Sequence, residues 1–253
     1  MAHHVLVSTF YEHRQPPHQR FITMIILLFL FTLAIALVAQ WQVKRMYRRY
    51  SLVRATSGHT GAEVAQKILS GAGIRDVEIV EHDEMLGDHY DPRHKRLVLS
   101  SANYHGTSLA ALGVAAHEAG HALQHQAAYA PLHLRMAAVG VTNFASQIVA
   151  FLPLIGIMTG LLSTVTGLTV MAVAWGVIMT FNLITLPVEF DASRRAKTML
   201  SSLGFISGPS ENAGVSKVLN AAAMTYVAAF VTSLVYLLWY LLPLLTGGNR
   251  QRG

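Results

Sequence analysis

Long apolar stretches alternate with shorter polar ones along the chain, and the alternation predicts its architecture. Residues 21–41 are almost unbroken hydrocarbon without a charge, long enough as a helix to cross a bilayer core of about 30 Å. Residues 136–188 are apolar again, with no formal charge before Glu189. That length exceeds one crossing and fits a hairpin, roughly 138–162 and 165–187, turning near residues 163–167. Residues 221–245 form a fourth apolar stretch. The expected division is a disordered tail (1–20), a transmembrane helix (21–41), a polar part (42–136), a transmembrane hairpin (137–188), a polar helix (189–220), a last transmembrane helix (221–246) and a tail (247–253).

Finer patterning places elements inside the polar part. Thr60 followed by Glu63 is a capping box for a helix that runs to about residue 69 and stops at Gly71-Ala72-Gly73. Residues 77–80 read as a short strand, Asp88-His89-Tyr90-Asp91-Pro92-Arg93 as turn chemistry, and Arg96-Leu97-Val98-Leu99-Ser100 as a second strand. This second strand is expected either as an edge that holds an extended peptide by backbone pairing or as a plain supporting hairpin. Thr107 or Ser108 can cap a following helix that continues to about Gln126.

That helix carries His117-Glu118-Ala119-Gly120-His121. Residues four apart share a helix face, so both imidazoles can aim at one point. With a carboxylate from elsewhere they make a three-ligand zinc site whose fourth position is open to water. Glu118 can then reach that water as a general base without being a ligand. His125 lies on the same face but about 12 Å from His117 along the axis, too far to share the ion. Two crossings return the chain to the side it left, so residues after the hairpin share a compartment with the His pair. Glu189, the first carboxylate there, is the expected third ligand. Asp191 is the competitor; it points about 160° away on a helix and suits a pairing with Arg194, Arg195 or a ligand histidine. Pro187 fits the first turn of the helix carrying them.

Composition sharpens this picture. Apolar residues make up 53% and charged ones 13%, against roughly 25% charged in soluble domains, which points to a membrane protein bathed in lipid. Cysteine is absent, so disulfides and thiolate zinc sites are excluded. The net charge of +6 sits beside the apolar stretches, which speaks for membrane orientation and against nucleic acid as a partner. Ten basic residues flank the ends on the side of the His pair against four on the other, so the polar parts are expected in the cytoplasm, beneath the cell (inner) membrane.

Ala116-His117-Glu118-Ala119-Gly120-His121-Ala122, the Asp88–Arg93 stretch, and Leu186-Pro187-Val188-Glu189-Phe190-Asp191-Ala192-Ser193-Arg194-Arg195 together resemble the YugP-type family. Its members are bacterial membrane proteins classed as neutral zinc metallopeptidases, with distant HtpX-like relatives. The resemblance implies Zn2+ on His117, His121 and Glu189, Glu118 as the catalytic residue, and a polypeptide substrate, a membrane protein among the options. The HtpX-like pattern has an Asp four residues after the ligand Glu, where this chain has Ser193, which leaves that supporting contact open. The expected fold is mainly α, with about four membrane helices and a small α+β zincin-like cytoplasmic domain. The rival readings are an intramembrane site-2-like protease, suggested by Asn182 and Pro187, and a non-catalytic zinc-binding membrane scaffold.

Overall fold

The structure, a computed structural model, describes residues 17–83 and 87–247. Of the expected tails, residues 1–16 and 248–253 lie outside the described residues. The element order is α1 (Pro17–Tyr50), α2 (Gly61–Gly71), β1 (Glu78–His82), β2 (His89–Asp91), β3 (Arg96–Ser100), α3 (Ser101–Tyr104), α4 (Leu109–Gln126), α5 (Ala130–Thr159), α6 (Val165–Ser202) and α7 (Gly208–Gly247), with a single 3-10 turn before α6. The described residues are mainly helical, with one small mixed sheet. Among the described residues, Thr23–Tyr50, Ala130–Gly156, Val165–Ser202 and Gly208–Gly247 are long and apolar enough to cross a membrane. Their outer faces carry large exposed apolar side chains such as Leu27, Phe31, Phe144, Phe151 and Val173, a surface suited to lipid.

At 38 and 40 residues, α6 and α7 are about 57 and 60 Å long, roughly twice the thickness of a hydrocarbon core. Each is therefore long enough for a membrane span over one half while the other half packs into the main core, through Leu200 of α6 and Val215 and Leu219 of α7. The turn from α5 into α6 is closed by Gly160 at φ 72, a left-handed position that glycine adopts without Cβ strain, and by Thr164, whose side chain accepts from the Gly167 N–H. Where the sequence predicts a fresh helix start at Pro187, α6 instead runs through it unbroken. Proline forfeits one hydrogen bond there, while Val188, Ala192, Ala196 and Leu200 beyond it are fully buried and hold the helix in place.

The main core is shared by the C-terminal end of α1 (Tyr50), α2 (Val64, Ile68), β3 (Leu97, Leu99), α4 (Leu112, Ala116), the far end of α6 (Leu200) and the start of α7 (Val215, Leu219). A smaller cluster around Met171 and Tyr240 joins α6 and α7 further along. The capping box on α2 forms as its sequence predicts: Thr60 accepts from the Glu63 N–H while Glu63 accepts from the Thr60 N–H. Ser108 rather than Thr107 caps α4.

The closest contact in the fold that bears on the site is between α4 and α6. A Cβ on Gly120 would sit 2.8 Å from the Ala192 carbonyl oxygen, nearer than a real Cβ approaches backbone, so the helices touch main chain to main chain. Gly120→Ala improves intrinsic helix propensity by about 1 kcal/mol but forces α6 outward. The expected net result is a loss of about 1–3 kcal/mol, read as a lower midpoint in thermal unfolding of the detergent-solubilised protein.

Candidate metal centre

The His pair stands on α4, whose buried face is built of small residues: Ala115, Ala116, Ala119 and Ala122. These let α6 approach closely, and Glu189 on α6 reaches across to the two imidazoles. His117 Nε2 lies 3.3 Å from Glu189 Oε2 and His121 Nε2 lies 3.7 Å from the same oxygen. One donor atom from each residue falls within 4.8 Å of the others. A tetrahedral zinc ion with bonds of about 2.0–2.1 Å spaces its ligands by about 3.3 Å. Two neutral-capable imidazole nitrogens and one carboxylate oxygen, at nearly that spacing, fit such an ion. The other Glu189 oxygen accepts from Arg135 Nη1 of α5 at 2.8 Å, leaving Oε2 to face the histidines. Glu189 is only 2% exposed, so this fork is fixed in a low-dielectric setting.

Both rings are oriented from behind. His121 Nδ1 donates to Gln124 Oε1 at 3.0 Å, which leaves its Nε2 as the lone-pair nitrogen facing the cluster; His117 Nδ1 and Ser193 Oγ lie within hydrogen-bond distance at 3.2 Å. Ser193 thus contacts a ring of the pair at the position where the HtpX-like pattern has Asp. Gln124 is itself anchored, donating to the Val188 carbonyl at 2.8 Å and to Asp191 Oδ2 at 2.9 Å. Asp191 in turn accepts from Arg195 Nε at 2.5 Å and from Arg194. Asp191 therefore faces away from Glu189, as helix geometry requires, and touches the site only through Gln124.

Such supporting contacts are worth about 10- to 100-fold in metal affinity where measured. Gln124→Leu is expected to weaken zinc binding by that order, and Ser193→Ala by less, since the Ser193 contact is the longer one and Gln124 is itself anchored by two further bonds. Competition with a chromophoric chelator checks both.

Burial drives the electrostatics. Desolvation pushes the Glu118 carboxyl up to about 7, His117 pulling it back while the Glu189 and Asp88 charges add to it. Desolvation and the neighbouring His117 hold His121 down, to about 4. Burial also acts to lower His117, but its bond to Glu189 and the charges of Glu118 and Glu189 outweigh that and raise it.

A cavity of about 360 Å³ opens in front of the cluster, lined by the Asp88–Arg93 stretch, His117, Glu118, His121, Arg135, Glu189, apolar side chains of α5 and Tyr226 of α7. The strand expectation needs correction here. Residues 96–100 lie in the middle of the sheet, parallel to β1 and antiparallel to β2, so their backbone groups are spent and they offer no free edge. The edge beside the cavity is β2, inside the stretch that sequence reads as a turn; Tyr90 donates its backbone N–H to Glu118. His125 stays outside the cluster and meets the Tyr90 hydroxyl at 2.9 Å. Arg194 and Arg195, both bound to Asp191, do not line the cavity. Sequence reasoning missed Gln124, Arg135 and Tyr226 as neighbours of the pair. Gln124 alone left a signal, three residues after His121 on a shared helix face.

A protein of Bacillus subtilis (strain 168) named "Putative membrane protease YugP" is 46% identical over 219 residues, covering 87% of this chain and 96% of that protein. No solved structure matches the chain. Residues 24–245 match the family described as "Putative neutral zinc metallopeptidase", and the chain belongs to that family.

Proposed function

We propose that the chain is a membrane-anchored zinc endopeptidase of zincin-like layout, working on polypeptides at the cytoplasmic face of the cell membrane. The observation that carries this reading is the convergence of His117, His121 and Glu189, 72 residues apart at the widest, beside a buried Glu118 in an open cavity. In this reading the three residues hold the ion. Bound there, zinc supplies Lewis acidity that polarises a peptide carbonyl and acidifies water.

The chain's own residues supply the rest. Glu118 takes the proton from the attacking water and delivers it to the leaving amine. Its raised proton affinity suits a group that must both accept and release a proton near neutral pH. Arg135 and Tyr226 are among the donors that line the cavity, with His89, Tyr90 and Arg93, and are the candidates to stabilise negative charge on the carbonyl oxygen. The outer edge of β2, apart from the Tyr90 N–H already given to Glu118, offers backbone pairing to an extended substrate, and the apolar α5 wall (Leu132, Met136, Val139) receives its side chains.

The intramembrane alternative draws no support from Asn182, which donates to the Ala229 carbonyl and Ser233 of α7 at 3.2 and 3.1 Å. The His pair, moreover, rides on α4, which is not one of the candidate spans. The test is zinc content and cleavage of a denatured polypeptide by the purified full chain. About one zinc per chain, with cleavage stopped by chelation and restored by zinc, is expected. Zinc without any cleavage turns the reading into that of a scaffold.

A further inference from the structure

A second groove lies between α1 and α7. Trp41, Arg45 and Arg49 recur at four-residue spacing on one face of α1, at the point where its hydrocarbon stretch ends. Lys217, Asn220, Ala221 and Met224 recur at helical spacing on the facing side of α7. Together with Gln42 and Met46 they line a groove of about 430 Å³ that contains no carboxylate. Among the described residues no acidic side chain pairs with Arg45, Arg49 or Lys217. The Arg45 guanidinium lies 4.9 Å over the Trp41 ring, a cation–π contact that holds it in place.

Three cations converging without a counter-charge repel one another, a cost that an anionic ligand removes. The groove's composition says which anion. One end is cationic with an amide beside it, and the other is floored by Ala221 and Met224 at the level of a tryptophan, the residue that marks bilayer interfaces. An amphiphile matches both ends, whereas a small soluble anion uses only one. We propose that this groove binds the headgroup of an anionic phospholipid: the phosphodiester sits among Arg45, Arg49 and Lys217, a headgroup hydroxyl meets Asn220, and an acyl chain leaves along Met224. The lipid then cements α1 to α7, the helix whose first half packs against α4 and the polar core. The site is independent of the catalytic reading.

Native mass spectrometry of the full chain in detergent, titrated with short-chain phosphatidylglycerol or phosphatidylcholine, tests it. Phosphatidylglycerol is expected to be retained on the order of 100-fold more strongly, at about fivefold for each of the three cations. Arg45→Gln with Lys217→Gln should erase most of that preference. Lys44→Gln with Arg48→Gln removes the same charge from the same helix end outside the groove, and should keep it. All four side chains are exposed, so folding is not at stake; Lys217→Gln alone must still cost about fivefold. Equal retention of the two lipids, equal losses in the two double variants, or displacement of the lipid by inorganic phosphate at matched concentration would each overturn the proposal.

Discussion

Glu118→Gln is expected to abolish peptide cleavage while zinc remains bound at wild-type stoichiometry. General acid–base groups contribute about 10²- to 10⁴-fold, and an amide of the same shape can neither take the proton from water nor return it to the amine. Glu118 is no part of the three-donor cluster, so metal content should not move. Its only backbone partner of note, the Tyr90 N–H, can still be met by the amide oxygen, which keeps β2 in place. The measurement is paired: zinc by elemental analysis and cleavage of a denatured polypeptide on the same preparation. Cleavage retained in the variant would sink the assignment of Glu118; zinc lost would mean that it is a ligand instead.

The second large effect concerns the metal itself. Zinc sites of four ligands are worth about 10–16 kcal/mol, so each ligand carries a share of roughly a hundredfold or more in affinity. Glu189→Ala and His121→Ala are both expected to bring zinc content from about one per chain to near zero after dialysis. Glu189→Ala has an added cost, because Arg135 loses its carboxylate and remains half-buried without a partner. Asp191→Asn separates the two candidate carboxylates: it acts on the site only through Gln124, so zinc should weaken about tenfold and not vanish. Were Asp191→Asn to empty the site while Glu189→Ala left it filled, the carboxylate assignment would be reversed.

Much of this was legible in the chain because it depends on local spacing. A cap at Ser108, an apolar helix to Gln126 and two histidines one turn apart are properties of a single segment, and the structure keeps them. The strand at Arg96–Ser100 is likewise at the predicted residues, though 97–100 are buried throughout rather than on one face. β1 overlaps the strand expected at 77–80, but the strand order is set by packing, with β1 parallel on one side and β2 antiparallel on the other, and the three residues of β2 have turn chemistry that carries no signal of a free edge. Pro187 misled for a related reason. Its local rule favours a helix start, but the burial of Val188, Ala192 and Ala196 against α4 outweighs one missing hydrogen bond.

Hydropathy and motif spacing alone thus pointed to the apolar helices, the helix of the His pair, and the pairing of two apolar helices that returns a carboxylate towards it. Tertiary structure alone decided which groups surround that pair: the Gly120–Ala192 contact that brings α6 against α4, the Arg135 fork on Glu189, and Gln124 and Ser193 behind the rings. The reason is physical. Periodicity is written in residues a few positions apart, whereas these contacts join positions 54 to 76 residues apart, or depend on which rotamer a crowded interface permits.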